Sequence, residues 1–181
     1  MTLGSSFRTA GLALALLLFS TGGSAAQVLP AATPGARGPE WIPLSEALNR
    51  AKESKKKVLV DVWSARCGWC ARMQREVYPA SELMAYLGEH FETARLDIDI
   101  KDDTIEYAGY KLSSAELSVG FGATGTPTTV FLSNDGTYIT RLPGFHDVAT
   151  FMGVLEFIGS DAFRDMTFEE YSASKTGKEG R

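Results

Sequence analysis

The sequence predicts an α/β fold: a central mixed sheet of four to five strands flanked by helices, with a small insertion near residues 99–112. Three observations carry this. Helical and strand patterns follow one another in the order helix, strand, helix, strand, helix, strand, strand, helix. The run Val58-Leu59-Val60-Asp61-Val62-Trp63 is short, apolar and rich in β-branched residues, which marks a strand buried on both faces. Asn134-Asp135-Gly136 is a turn signal between two strand-like runs, which adds an antiparallel edge. Strands joined through helices imply right-handed crossovers and a sheet covered on both faces.

Leu44, Ala47, Leu48 and Ala51 fall at helical spacing, with Ser45 near the start, and predict the first helix. The strand at 58–63 follows, then a helix over Ala71 to Val77. Pro79 breaks or kinks that helix, because proline lacks the donor and clashes with the preceding turn. Leu83, Tyr86 and Leu87 continue a helical pattern to His90, and Phe91 to Ile98 is the second strand. Within the polar stretch 99–112, Tyr107-Ala108-Gly109-Tyr110 suggests a small hairpin. Ser113 caps a short helix to about Val119, with Glu116 at the capping-box position. Thr128 to Leu132 and Tyr138 to Leu142 are the last strands, and Val148, Phe151, Met152 and Leu155 mark the final helix. The end, SASKTGKEGR, reads as frayed.

The 181 residues suit one domain plus tails, and a 44% hydrophobic, 22% charged composition is that of a globular protein. A net charge of -4 with no basic stripe argues against nucleic acid as a partner, since phosphate contacts need clustered Lys and Arg. Lys55-Lys56-Lys57 reads as a solvated helix end. At the N-terminus, Arg8 precedes the apolar run Leu12 to Phe19, and small residues end at Ser24-Ala25-Ala26. That order reads as a secretory signal peptide over 1–26, cleaved after Ala26, with an uncleaved anchor as the alternative, and the run is short of the roughly 20 residues of a membrane span. Residues 27–40, rich in Pro, Ala and Gly, form a flexible leader; the domain spans 41–162 and a partly disordered tail 163–181. The expected location is therefore the periplasm.

Both cysteines lie in Cys67-Gly68-Trp69-Cys70. A structural staple gains by closing a long loop, and this pair closes almost none. Two soft ligands for Cu(I) are a second reading, although no Met or His cluster stands nearby in the sequence. The third is a redox pair. At a strand-to-helix junction Cys67 lies at a helix N-terminus, where unpaired N–H groups favour a thiolate, and Cys70 lies nearly one turn on. Cys67 then attacks a partner's disulfide and Cys70 resolves the mixed disulfide.

Val-Asp-Val-Trp-Ser-Ala-Arg-Cys-Gly-Trp-Cys, Ala94 to Asp99, Gly125-Thr126-Pro127-Thr128 and Gly144 together resemble the thioredoxin superfamily over roughly residues 41–160. The resemblance implies the thioredoxin fold. It implies a buried acid at Asp61, with Arg95 where a lysine often pairs with it, and a supporting tryptophan at Trp63. It also implies a cis bond before Pro127 that exposes a Thr126 backbone edge for substrate. Asp61 is then the proton acceptor for Cys70, through a carboxyl pKa raised by burial, the alternative being a structural, hydrogen-bonded acid. Trp69, Thr126 and Gly68 are the expected substrate contacts, with a loop-filling ring the alternative reading of Trp69. The catalytic set is Cys67, Cys70, Asp61 and Pro127, with no metal and no cofactor beyond the Cys67–Cys70 disulfide.

Two departures from the pattern stand out. Arg66 replaces the tryptophan usual before the first cysteine, and Trp69 replaces the usual proline. The pair has no internal histidine to stabilise a thiolate, which leans toward a reductase, with Arg66 a partial compensation. The export signal, the 99–112 segment, Arg141-Leu142-Pro143-Gly144-Phe145 and Phe163-Arg164-Asp165 resemble periplasmic SoxW-type thioredoxins and the C-terminal domain of the DsbD electron carrier. That resemblance implies a protein-disulfide reductase acting on exported proteins and fed by a membrane thiol donor of DsbD or CcdA type; a monomer is expected. The alternatives are a disulfide oxidase or isomerase, and a Cu(I) chaperone. His90 and His146 are read as non-ligands, Asp97, Asp99, Asp102 and Asp103 as a solvated acidic face, and Gly120 to Gly125 as no phosphate loop, since no Lys-Ser/Thr follows.

Overall fold

The computed structural model describes residues 37–179. The expected signal peptide at 1–26 and most of the leader lie outside the described residues. The leader's last residues pack on the domain. Pro39 is buried, Gly38 lies against Tyr78, and the Glu40 carbonyl accepts a hydrogen bond from Thr93 Oγ1 at 2.7 Å.

The elements run α1 (Leu44–Ser54), β1 (Lys57–Trp63), α2 (Gly68–Glu76), α3 (Ser81–His90), β2 (Phe91–Asp97), β3 (Ile105–Tyr107), β4 (Tyr110–Leu112), α4 (Ser114–Gly120), β5 (Thr128–Leu132), β6 (Tyr138–Pro143), α5 (Val148–Gly159) and, after a 3₁₀ turn, α6 (Phe168–Glu179). Pro79 separates α2 from α3. Ser113 and Glu116 form the expected capping box of α4. Ala108 and Gly109, both at positive φ, turn the β3–β4 ribbon.

The sheet order is β2-β1-β5-β6. β1 runs parallel to β2, with Val60 beside Ala94, and antiparallel to β5, with Val60 beside Val130. Beyond the β5–β6 hairpin, the sequence implied parallel crossovers. Instead β5 lies on the far side of β1 and opposes it. The outer edge of β2 is occupied by Ile42, which donates to the Thr93 carbonyl at 3.1 Å and accepts from Arg95 N at 3.3 Å. The free edge of β1, the most apolar strand, is the one left for β5. The sheet thus has four full strands, and the Ile42 bridge stands where a fifth would run.

Side-chain alternation along β1 divides the core. Val58, Val60 and Val62 face α1 and α4, joined by Leu44, Ala47, Leu96, Leu117 and Val130. Leu59 faces α2, α3 and α5, with Met73, Tyr78, Leu83, Phe131, Phe151 and Leu155. Each large side chain buried this way contributes roughly 1.5–3 kcal/mol. These two layers, rather than the propensity of helices of 7 to 12 residues, hold the sheet. Asp61 and Trp63, at odd positions, belong to the second face.

The segment 163–181, expected as a partly disordered tail, has its last two residues outside the described residues and carries α6 over Phe168–Glu179. Thr167 caps it, its hydroxyl accepting from Glu170 N at 3.2 Å while the Glu170 carboxylate accepts from Thr167 N at 2.8 Å. Phe168 and Tyr171 pack on Phe157 with ring centroids 5.5 and 5.4 Å apart. Two aromatics and a capping box outweigh a polar composition. The lysine run 55–57 is also more than a solvated end, because Lys57 Nζ donates to Asp161 at 2.9 Å and ties β1 to the start of this C-terminal segment.

Candidate active site

Cys67 is the N-cap of α2 and is half-buried; Cys70 is buried. They form a disulfide with Cα atoms 5.2 Å apart. Cys70 N donates to Cys67 Sγ at 3.1 Å, so an unpaired helix N-terminal donor is aimed at the outer sulfur. Gly68 is exposed, and a Cβ built there meets nothing within 4 Å.

The loop before Cys67 is fastened by Asp99. Its Oδ2 accepts from Ser64 Oγ at 2.8 Å and Ala65 N at 3.0 Å, and its Oδ1 from Arg66 Nη2 at 2.5 Å. These bonds, Ser64 foremost, hold the Asp99 carboxyl below its ordinary pKa. The Arg66 charge is thus engaged by Asp99 rather than left free as a cation for the cysteines. The acidic segment is likewise more than a solvated face: Asp97 Oδ1 accepts from Asp99 N, and Asp103 from Ser114 N.

Asp61 is 1% exposed and accepts hydrogen bonds on both oxygens. Its Oδ2 accepts from Arg95 Nε at 3.0 Å, Arg95 Nη2 at 2.8 Å and Gln74 Nε2 at 3.3 Å, and its Oδ1 from Tyr78 Oη at 3.2 Å. Burial raises the Asp61 pKa, with Arg95 opposing. Arg95 lies over the rings of Trp41 and Trp63, 4.5 and 5.0 Å from their centroids. Trp41 Nε1 donates to Gln74 Oε1 at 3.2 Å, and the Trp63 Nε1 is buried without a hydrogen-bond partner among the described residues. The Asp61–Arg95 pairing is the one the family resemblance implies. Sequence reasoning missed Gln74, Tyr78 and Trp41 as its companions. A signal existed for two of them: Gln74 and Tyr78 follow Cys70 at helical spacing, on the side that meets Asp61.

The Thr126–Pro127 bond is cis and Pro127 is buried. Val62 pairs with Thr128, so the residue before β5 lies at the end of the sheet from which the Cys67 loop leaves. The Pro127 carbonyl accepts from Gly144 N at 2.8 Å. Next in the chain, Phe145 meets Trp69, with ring centroids 5.4 Å apart, and the Arg72 guanidinium lies 4.5 Å from the Phe145 ring. Trp69 remains 55% exposed. The structure therefore gathers the cysteine loop, the cis-proline loop and the turn after β6 at one end of the sheet. His146 is engaged with the Pro143 carbonyl at 2.9 Å, and His90 packs against the Tyr86 ring.

A family model described as a thioredoxin-like domain matches residues 44–159. The chain belongs to the thioredoxin-like domain family. Among curated proteins, this thioredoxin-like chain is 29% identical over 104 residues to the disulfide bond reductase DsbH of Chlamydia pneumoniae, covering 57% of the chain and 61% of that relative. The chain spans less than two thirds of the curated relatives it matches. Among solved structures it is similar to a thioredoxin-fold protein from Helicobacter pylori, with 27% identity, a TM-score of 0.57 and coverage of 68% and 86% of the two chains. It is also similar to a thioredoxin from Thermus thermophilus, with 26% identity, a TM-score of 0.56 and coverage of 67% and 87%.

Proposed function

We propose that this protein is an exported thiol–disulfide oxidoreductase that works mainly as a reductase of protein disulfides in the periplasm. The observation that carries the reading is the asymmetry of the cysteine pair: Cys67 is half-buried at a helix N-terminus with a backbone donor on its sulfur, and Cys70 is buried. The name of the DsbH relative supports the reductive direction.

In the reduced protein the Cys67 thiolate attacks one sulfur of a substrate disulfide. A Cys67–substrate bond forms and the other substrate sulfur leaves as a thiolate. Cys70 then gives up its proton, with Asp61 the acceptor, and attacks Cys67 Sγ. The substrate's second thiol is released and the Cys67–Cys70 disulfide remains. A membrane dithiol donor of DsbD or CcdA type returns two electrons and two protons. Thr126 offers backbone to the substrate beside Pro127, Trp69 offers an exposed ring, and the missing side chain at Gly68 leaves room for the incoming segment.

Mixed-disulfide trapping tests this. Cys70→Ser accumulates covalent adducts with disulfide-bearing exported proteins that dithiothreitol releases, and Cys67→Ser forms none and does not reduce insulin. Insulin reduction that survives Cys67→Ser sinks the reading.

A further inference from the structure

We propose that Arg141 is a specificity-determining residue, which selects substrates carrying an aspartate or glutamate side chain near the disulfide-bonded cysteine. The inference rests on the reductase reading and names the substrate class of that same site.

Arg141 lies on β6 opposite Val130, two residues before the Pro143–Thr128 pair. A cavity of about 300 Å³ beside the cis-proline loop has Thr126, Pro127, Gly144 and Arg141 in its wall. A second, of about 350 Å³, is lined by Phe121 and Tyr138 and shares Gly122 and Arg141 with the first. Arg141 thus stands where the cleft that begins at the substrate-facing loop opens into an aromatic one.

Arg141 is exposed, and its guanidinium lies against Gly122. Gly122 has φ +73°, and a Cβ there would meet Arg141 Nη1 at 2.7 Å and Cζ at 2.9 Å, so the missing side chain is what lets the guanidinium lie against the backbone. Arg141 Nη1 also reaches Tyr138 Oη at 3.4 Å. Arg50, Arg66, Arg72, Arg95 and Arg164 are each paired with Asp or Glu. Arg141 has no such pair among the described residues. Arg37 and Arg75 share that lack, but neither lines these two cavities. An exposed guanidinium with no carboxylate partner among the described residues, at the wall of a cleft, is matched by a carboxylate, which it can bind with two parallel hydrogen bonds. The chain's overall charge of -4 would repel an acidic partner at long range, so the selection is local to this cleft.

The test uses synthetic peptides with one cysteine in a mixed disulfide to a chromogenic thiol. Glutamate, glutamine or lysine is placed in turn at two to five residues on either side of the cysteine, and kcat/KM is measured with the reduced protein. At one or two positions the glutamate peptide is expected to exceed its glutamine counterpart by about tenfold, the scale of a charge-assisted hydrogen bond. Arg141→Gln brings that ratio to about one, Arg141→Lys retains part of it, and Arg141→Glu reverses it in favour of the lysine peptide. Because the readout is a ratio, a general loss of activity cancels. Equal rates on glutamate and glutamine peptides, or a preference that survives Arg141→Gln, overturns the inference and leaves the reductase reading standing. Reduction of no peptide overturns both.

Discussion

Arg95 places two nitrogens, Nε at 3.0 Å and Nη2 at 2.8 Å, on the same oxygen of the buried Asp61. The Arg95 side chain is 21% exposed and its guanidinium lies over Trp41 and Trp63, so one side chain serves as counter-charge and as packing. Arg95→Ala leaves Asp61 buried without its cation. The expected cost is about 3 kcal/mol, at the low end for a broken buried pair because Arg95 keeps some contact with water. Arg95→Lys recovers part of this, since it restores charge but neither the fork nor the stacking. Urea unfolding of the two variants measures the difference.

Asp61 has a folded-state pKa raised mainly by burial. The folded protein therefore holds this proton more tightly than the unfolded chain does. The resulting stability is present at low pH and is lost as pH rises from the ordinary carboxylate range through the raised value. Asp61→Asn has no proton to lose. Its stability relative to the parent is expected to climb through that window and level off above it, as read by urea titrations across pH. A constant difference contradicts the assignment.

Asp135 behaves in the opposite sense. Its carboxylate accepts from Ser133 Oγ and from Thr137 N at 2.9 Å, and its pKa is lowered to about 2. The stability it contributes is full above the ordinary carboxylate pKa and disappears as pH falls through about 2. Asp135→Asn is expected to flatten the acid limb of the stability curve, most visibly between pH 4 and 2 as an approximate window. Thermal unfolding in that range checks it.

Much of this layout was legible. The β-branched run of β1, the Ser113–Glu116 box and the Tyr107–Tyr110 turn are local signals, and each element formed where its chemistry points. The grip of Asp99 on residues 64–66 depends on contacts 33 to 35 residues apart, which no local pattern reports, and the spacing of Gln74 and Tyr78 after Cys70 gives their shared side but not that Asp61 meets it. The direction of β5 was hidden for a different reason, because an apolar run does not state which edge of β1 is free. The last helix had a readable signal in Thr167 and Glu170, but the polar residues after Tyr171 masked it.

α6 docks on Phe157 through Phe168 and Tyr171, so Phe168→Ala should be felt. Phe168 is 38% exposed and meets Phe157 edge-on. The expected cost is about 1–2 kcal/mol, below that of a fully buried phenylalanine. Hydrogen exchange should rise in α6 before it rises in β1, and unchanged exchange there contradicts a docked helix.

The central claim is tested most directly by the reduction potential of the Cys67–Cys70 pair, titrated against a dithiothreitol or glutathione series. A reductase fed by a membrane thiol donor is expected near the thioredoxin value of about -270 mV. A value near about -120 mV, that of a strong oxidant of exported thiols, contradicts it.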